Sequence, residues 1–80
     1  MDQEECFRHP ISIRAVQQIE QRAKEQSVPV PVLLRRIEAY REIFWRWKRD
    51  KHDISAHYLR KMALDGYDVI YILTGKKEIT

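Results

Sequence analysis

The stretch Gly66-Tyr-Asp-Val-Ile-Tyr-Ile-Leu-Thr-Gly75 decides the fold class. Its centre is β-branched and aromatic, a composition that favours a strand. Its ends argue for a helix. Asp68 is placed to cap one and Gly75 to end it. Gly66, just before, suits the C′ position of a preceding helix. No other segment reads as a strand, and a lone strand needs a partner across a dimer. The stretch is therefore assigned to a helix and the chain to the all-α class.

Working back from Gly66, Asp53 or Ser55 caps a fourth helix that runs to about Leu64 or Asp65. Tyr58, Leu59, Met62 and Ala63 supply its apolar stripe. Lys51, His52 and Asp53 form a polar loop before it. Tyr40-Arg-Glu-Ile-Phe-Trp-Arg-Trp-Lys-Arg-Asp-Lys51 comes next. At 100° per residue, Tyr40, Ile43, Phe44 and Trp47 share one face. Arg41, Trp45, Lys48 and Arg49 share another, with Glu42 and Arg46 beside them. This is a third helix, from about Tyr40 or Arg41 to Arg49, with an apolar back and a cationic front.

Ser27-Val-Pro-Val-Pro31 interrupts the chain further back. Two prolines so close do not fit a helix interior, but they fit a helix entry. A second helix starts near Val30 or Pro31 and runs to about Glu38, its apolar face made by Val32, Leu33, Leu34 and Ile37. No glycine marks the join at Glu38, Ala39 and Tyr40, so one bent helix across both segments stays open. The first helix runs from Ile11 or Ser12 to about Gln26. Ile13, Val16, Ile19 and Ala23 form its apolar face, and Ser12 is its N-cap candidate. The expected architecture is a compact bundle of about five short helices over residues 11–75. Residues 1–10 form an N-terminal arm and 76–80 a tail.

Composition narrows the function. Eighty residues make one small domain, and two glycines with three prolines leave little for the turns of a β-sandwich. Cys6 is the only cysteine, so no internal disulfide exists, which fits a reducing compartment. Met-Asp-Gln-Glu-Glu at the start is no signal peptide, and no apolar run reaches the ~18 residues of a membrane span. A cytoplasmic location without a membrane role is expected. Cys6-x2-His9 and His52-x4-His57 have spacings individually compatible with zinc, but the pairs lie far apart. Exposed side chains are the expected reading, with no metal or cofactor. No phosphate loop, metalloprotease motif or nucleophile elbow is present, so no enzyme activity is expected.

The net charge of +3 is unevenly spread. Residues 35–61 hold nine cations against four acids, a surplus of five, which leaves the rest of the chain at −2. A basic middle on a half-buried helix suits a polyanion, with DNA the leading candidate. A solvated face with surplus Arg and Lys is the bland alternative.

Five short helices with the cations on the third resemble the Cro/repressor-type helix-turn-helix family of phage and bacterial regulators. Two pieces carry the resemblance. Ser55 to Gly75 is similar to the end of many such domains, where a fourth helix turns at glycine into a short fifth. Ser27 to Lys51 is similar to the paired second and third helices. Leu33, Leu34 and Ile37 take packing positions of the second helix, Ala39 the apolar turn position, and Phe44 and Trp47 the buried positions of the recognition helix. Four residues depart from the pattern. Glu38 stands where glycine is usual, at a position that often needs φ > 0. Tyr40 stands where serine or threonine caps the recognition helix. Val30 stands where a glutamine often touches the DNA backbone, and Asp50 replaces a common glycine.

The resemblance implies a small transcriptional regulator, phage or prophage derived, that occupies operator DNA through its third helix. By position, Tyr40, Arg41, Glu42, Trp45 and Arg46 would reach base edges. Glu42 has a second reading, orienting Arg46 one turn on. Arg49, Lys51, Arg35 and Arg36 would meet phosphates. Trp45 has three readings: a DNA contact, a structural stack between Arg41 and Arg49, or an anchor for a protein partner. Trp47 is expected in the core. Val69, Ile70, Tyr71, Ile72 and Leu73 are apolar nearly all round, which makes the fifth helix the candidate homodimer interface. The rival function is a protein-binding module on the same fold, with Trp45 and its cationic rim taking an acidic partner.

Overall fold

The structure is a computed structural model that describes residues 10–49 and 53–76. The described residues form five helices and no strand: α1 (Pro10–Gln26), α2 (Val30–Arg36), α3 (Arg41–Arg49), α4 (Ala56–Leu64) and α5 (Val69–Thr74). The fold is all-α. Helix α1 packs on α2, α3 and α5, while α2 meets α3 and α4 meets α5. Ala15, Val16, Ile19 and Ala23 supply its buried side.

The ends of the helices explain how so few glycines suffice. Ser27 closes α1 at φ 57°, with Val28 N–H donating to the Ala23 carbonyl at 3.0 Å. Glu38 closes α2 at φ 59°, with Ala39 N–H donating to the Leu34 carbonyl at 2.9 Å. Gly66 closes α4 at φ 94°, with Tyr67 N–H donating to the Met62 carbonyl at 3.0 Å. All three are left-handed residues in Schellman-type closures. Only one is glycine, so two side chains accept a conformation they ordinarily avoid. The single bent helix is ruled out by the break at 37–40.

At α5 both sequence signals hold. Asp68 Oδ1 accepts the Tyr71 N–H at 3.0 Å, and Gly75 ends the helix at φ 76°. Arg14 of α1 completes that end, donating through Nε to the Ile72 carbonyl at 2.8 Å and through Nη2 to the Leu73 carbonyl at 3.2 Å. A Cβ on Gly75 would lie 3.1 Å from Arg14 Nη1. Gly75→Ala therefore combines left-handed strain with displacement of this cap. A loss of ~1–2 kcal/mol is expected, read from thermal melting.

Several expectations are corrected. Helix α1 begins at Pro10, which fits because a proline in the first turn has no N–H to leave unpaired. Ser12 is not an N-cap. It lies fully buried inside α1, and its hydroxyl accepts the Ile54 N–H at 2.7 Å. It thereby ties the segment before α4 to α1. Ser12→Ala would leave that buried amide unpaired, and a loss of ~1–3 kcal/mol is expected in urea denaturation. Helix α2 stops at Arg36 rather than Glu38. Of the two cap candidates read for α4, Ser55 takes the N-cap position. Tyr40, Val32 and Ala63 were expected on apolar faces and are exposed, Tyr40 to 54%. Tyr40 sits at the N-cap of α3, where only its carbonyl is used, accepting from Phe44 N–H at 3.2 Å. That position turns its side chain out of the core.

The α3 back face is the pivot of the core. Trp47 is 1% exposed. Its ring meets Phe44 edge-on at 6.4 Å and Tyr58 of α4 edge-on at 5.2 Å. The Trp47–Tyr58 contact joins α3 to α4. No described helix is long and apolar enough to cross a membrane.

Candidate nucleic-acid interface

The burial of Phe44 and Trp47 fixes the roll of α3, and the opposite side follows. Arg41, Glu42, Trp45, Arg46, Lys48 and Arg49 are all exposed. Three of the four cations here are arginines, whose planar forks suit phosphate and guanine edges. Trp45 is 47% exposed. Lys48 Nζ lies 5.6 Å and Arg49 Cζ 5.7 Å from its ring centroid. The stack expected between Arg41 and Arg49 is thus replaced by one in which Lys48 and Arg49 take part and Arg41 does not.

The cations divide into tied and untied groups. Lys48 pairs with Glu20 of α1 at 2.8 Å, so it also holds α3 to α1. Arg36 donates to Asp65 at 2.9 Å, and Arg22 lies 3.5 Å from the same carboxylate. Arg36 therefore braces α2 against the α4–α5 connection rather than standing free as a phosphate contact. No ion pair joins Glu42 to Arg46, so the orienting role read for Glu42 is absent. Arg35, Arg41 and Arg46 make no ion pair among the described residues, and Arg49 makes only its stack on Trp45. Lys51 lies outside the described residues, as do Asp50, Cys6, His9 and His52. His57 is exposed.

Glu38 is the left-handed residue of the turn that leads into α3. Its carboxylate accepts from Lys61 Nζ of α4 at 2.6 Å. That hydrogen bond, followed by the lysine charge, lowers the Glu38 pKa below the usual carboxylate range, against a small opposing effect of burial. The folded pKa is depressed, so the pairing is complete above the usual carboxylate range and is lost as pH falls through the lowered value. The entry of α2 offers little to a phosphate. Pro29 and Pro31 have no N–H, and the Val32 N–H is spent on the Pro29 carbonyl at 3.0 Å.

A second concavity, of about 560 Å³, lies between α1 and the start of α5, lined by Gln17, Gln21, Arg22, Tyr67 and Asp68 among others. Arg22 stacks on Tyr67 at 3.6 Å and donates to the Asp65 carbonyl at 2.8 Å. Burial raises the Tyr67 pKa, with Arg22 opposing. The cationic centre of this cleft is thus already engaged within the fold. Among the described residues, no group of three His, Cys, Asp or Glu side chains could hold a metal ion.

No family model, curated protein or solved structure matches the chain. The chemistry of the α3 face therefore stands on the chain's own residues. Sequence reasoning missed three positioning groups: Lys61, Arg14 and Arg22. Each acts across 23 to 58 positions of sequence, and local periodicity holds no trace of such pairings.

Proposed function

We propose that the protein is a small sequence-specific DNA-binding regulator of the Cro/repressor type, with α3 lying in the major groove of an operator. One observation carries this reading. The exposed side of α3 presents Arg41, Arg46, Lys48, Arg49 and Trp45 together, while Phe44 and Trp47 anchor its back. Arg41, Glu42 and Arg46 lie early enough to address base edges, and Arg35 and Arg49 suit flanking phosphates. A left-handed residue at Glu38, which the family resemblance anticipates at this turn, supports the same reading.

One such helix makes few base contacts, so a homodimer reading two half-sites about one turn apart is part of the proposal. Ile70 and Leu73, one turn apart on α5 and 53% and 46% exposed, are the residues it would bury. The acidic-partner reading draws support from the α2 entry, where the two prolines remove amides that would otherwise bind a phosphate.

Titration against random and selected duplexes at two salt concentrations tests the function. A steep salt dependence and a selected consensus are expected. Absence of duplex binding at low salt would leave the protein-partner reading in its place. A monomeric mass at high concentration would remove the dimer.

A further inference from the structure

Phe44 and Trp47 are buried and Ile43 is half-buried, so Trp45 is the exposed large apolar side chain of α3. Lys48 Nζ and Arg49 Cζ lie 5.6 and 5.7 Å from the centroid of its ring. Its indole N–H has no acceptor among the described residues. Trp45 thus offers the outside an apolar ring with one hydrogen-bond donor, set within a cationic surface.

This inference rests on the reading of α3 as a duplex-binding helix. The major groove presents one apolar group, the C5-methyl of thymine, and beside it the O4 acceptor. Guanine offers two acceptors and no methyl, adenine an acceptor and a donor, cytosine a donor. A donor joined to an apolar ring therefore matches thymine better than any other base. We propose that Trp45 is a specificity-determining residue that reads thymine, its ring against the methyl and its Nε1–H toward O4.

The test uses the duplex selected from a random pool by the wild-type protein, and the same duplex with every thymine replaced by uracil. The substitution removes only methyl groups. Wild type is expected to bind the uracil duplex about fourfold more weakly per methyl buried, the factor that follows from transferring one such group out of water. Trp45→Phe keeps the ring and is expected to keep most of that difference. Trp45→Ala is expected to bind both duplexes equally, with an unchanged melting temperature because the side chain lies outside the core. Equal wild-type affinity for the two duplexes overturns this inference and leaves duplex binding standing. So does undiminished discrimination by Trp45→Ala. No binding to either duplex at low salt overturns the inference together with the reading beneath it.

Discussion

Trp47→Ala is expected to leave a large fraction of the chain unfolded at room temperature. The indole is 1% exposed and touches both Phe44 and Tyr58, so its removal opens a cavity where α3 meets α4. Such truncations cost ~3–5 kcal/mol. At ~0.05–0.15 kcal/mol per residue, a domain of 80 residues holds only about 4–12 kcal/mol in total. The loss is therefore comparable with the whole stability. Trp45→Ala, two residues away, is expected to change stability by less than ~0.5 kcal/mol, because it empties no buried site. Far-ultraviolet circular dichroism during urea titration reads both. Equal midpoints for the two variants would contradict the assignment of Trp47 to the core and Trp45 to the surface.

The contrast between these tryptophans was legible in the sequence. At 100° per residue, Trp47 shares a face with Phe44 and Trp45 with Arg41 and Arg49, and two residues are enough to separate core from surface. The fifth helix was legible for another reason. Its β-branched centre argues for a strand, but Asp68 and Gly75 act locally, and local capping with α1 alongside outweighed propensity. What periodicity could not give were features set by distant partners. Ser12 looks like a cap because serine before an apolar run often is one. The helix instead extends two residues further back, and the hydroxyl turns inward to an amide 42 positions away. Arg36 looked like a free cation until Asp65, 29 positions on, was placed beside it. Tyr40 falls on the apolar arc by angle alone. It lies before the first residue of α3, where the arc no longer applies.

Glu38 shows how far local rules reach. The sequence raises an objection, because a glutamate at a left-handed position is strained. The fold keeps the left-handed backbone and places Lys61 within a hydrogen bond of the carboxylate. The closure of α2 needs that backbone so that Ala39 N–H can reach the Leu34 carbonyl and the chain can turn into α3. The geometry is thus dictated by the helix end rather than by the residue type. A departure from glycine alters the strain of the turn more than its shape, so it is weak evidence against a functional α3.

Replacing Arg35 and Arg49 together with glutamine is expected to weaken duplex binding by roughly a hundredfold per protomer at low salt. Each phosphate-neutralising cation contributes about −0.9 to the slope of log affinity against log salt. At tens of millimolar salt, that slope is worth on the order of tenfold per contact. The wild-type slope should therefore fall by about two for each protomer, and the affinity gap should narrow as salt rises. Neither arginine is held in an ion pair among the described residues, so their loss leaves the packing of α2 and α3 intact. Lys24→Gln with Lys76→Gln is the matched control. Both lysines are exposed, at the end of α1 and after α5, and the pair removes the same charge from the chain. If attraction came from net charge alone, the two double variants would lose affinity equally. A footprint on α3, with Arg35 and Arg49 at its flanks, requires the arginine pair to lose far more and the lysine pair to keep the wild-type slope. Equal losses would mean that α3 is not where the polyanion sits, whatever the shape of its cationic face.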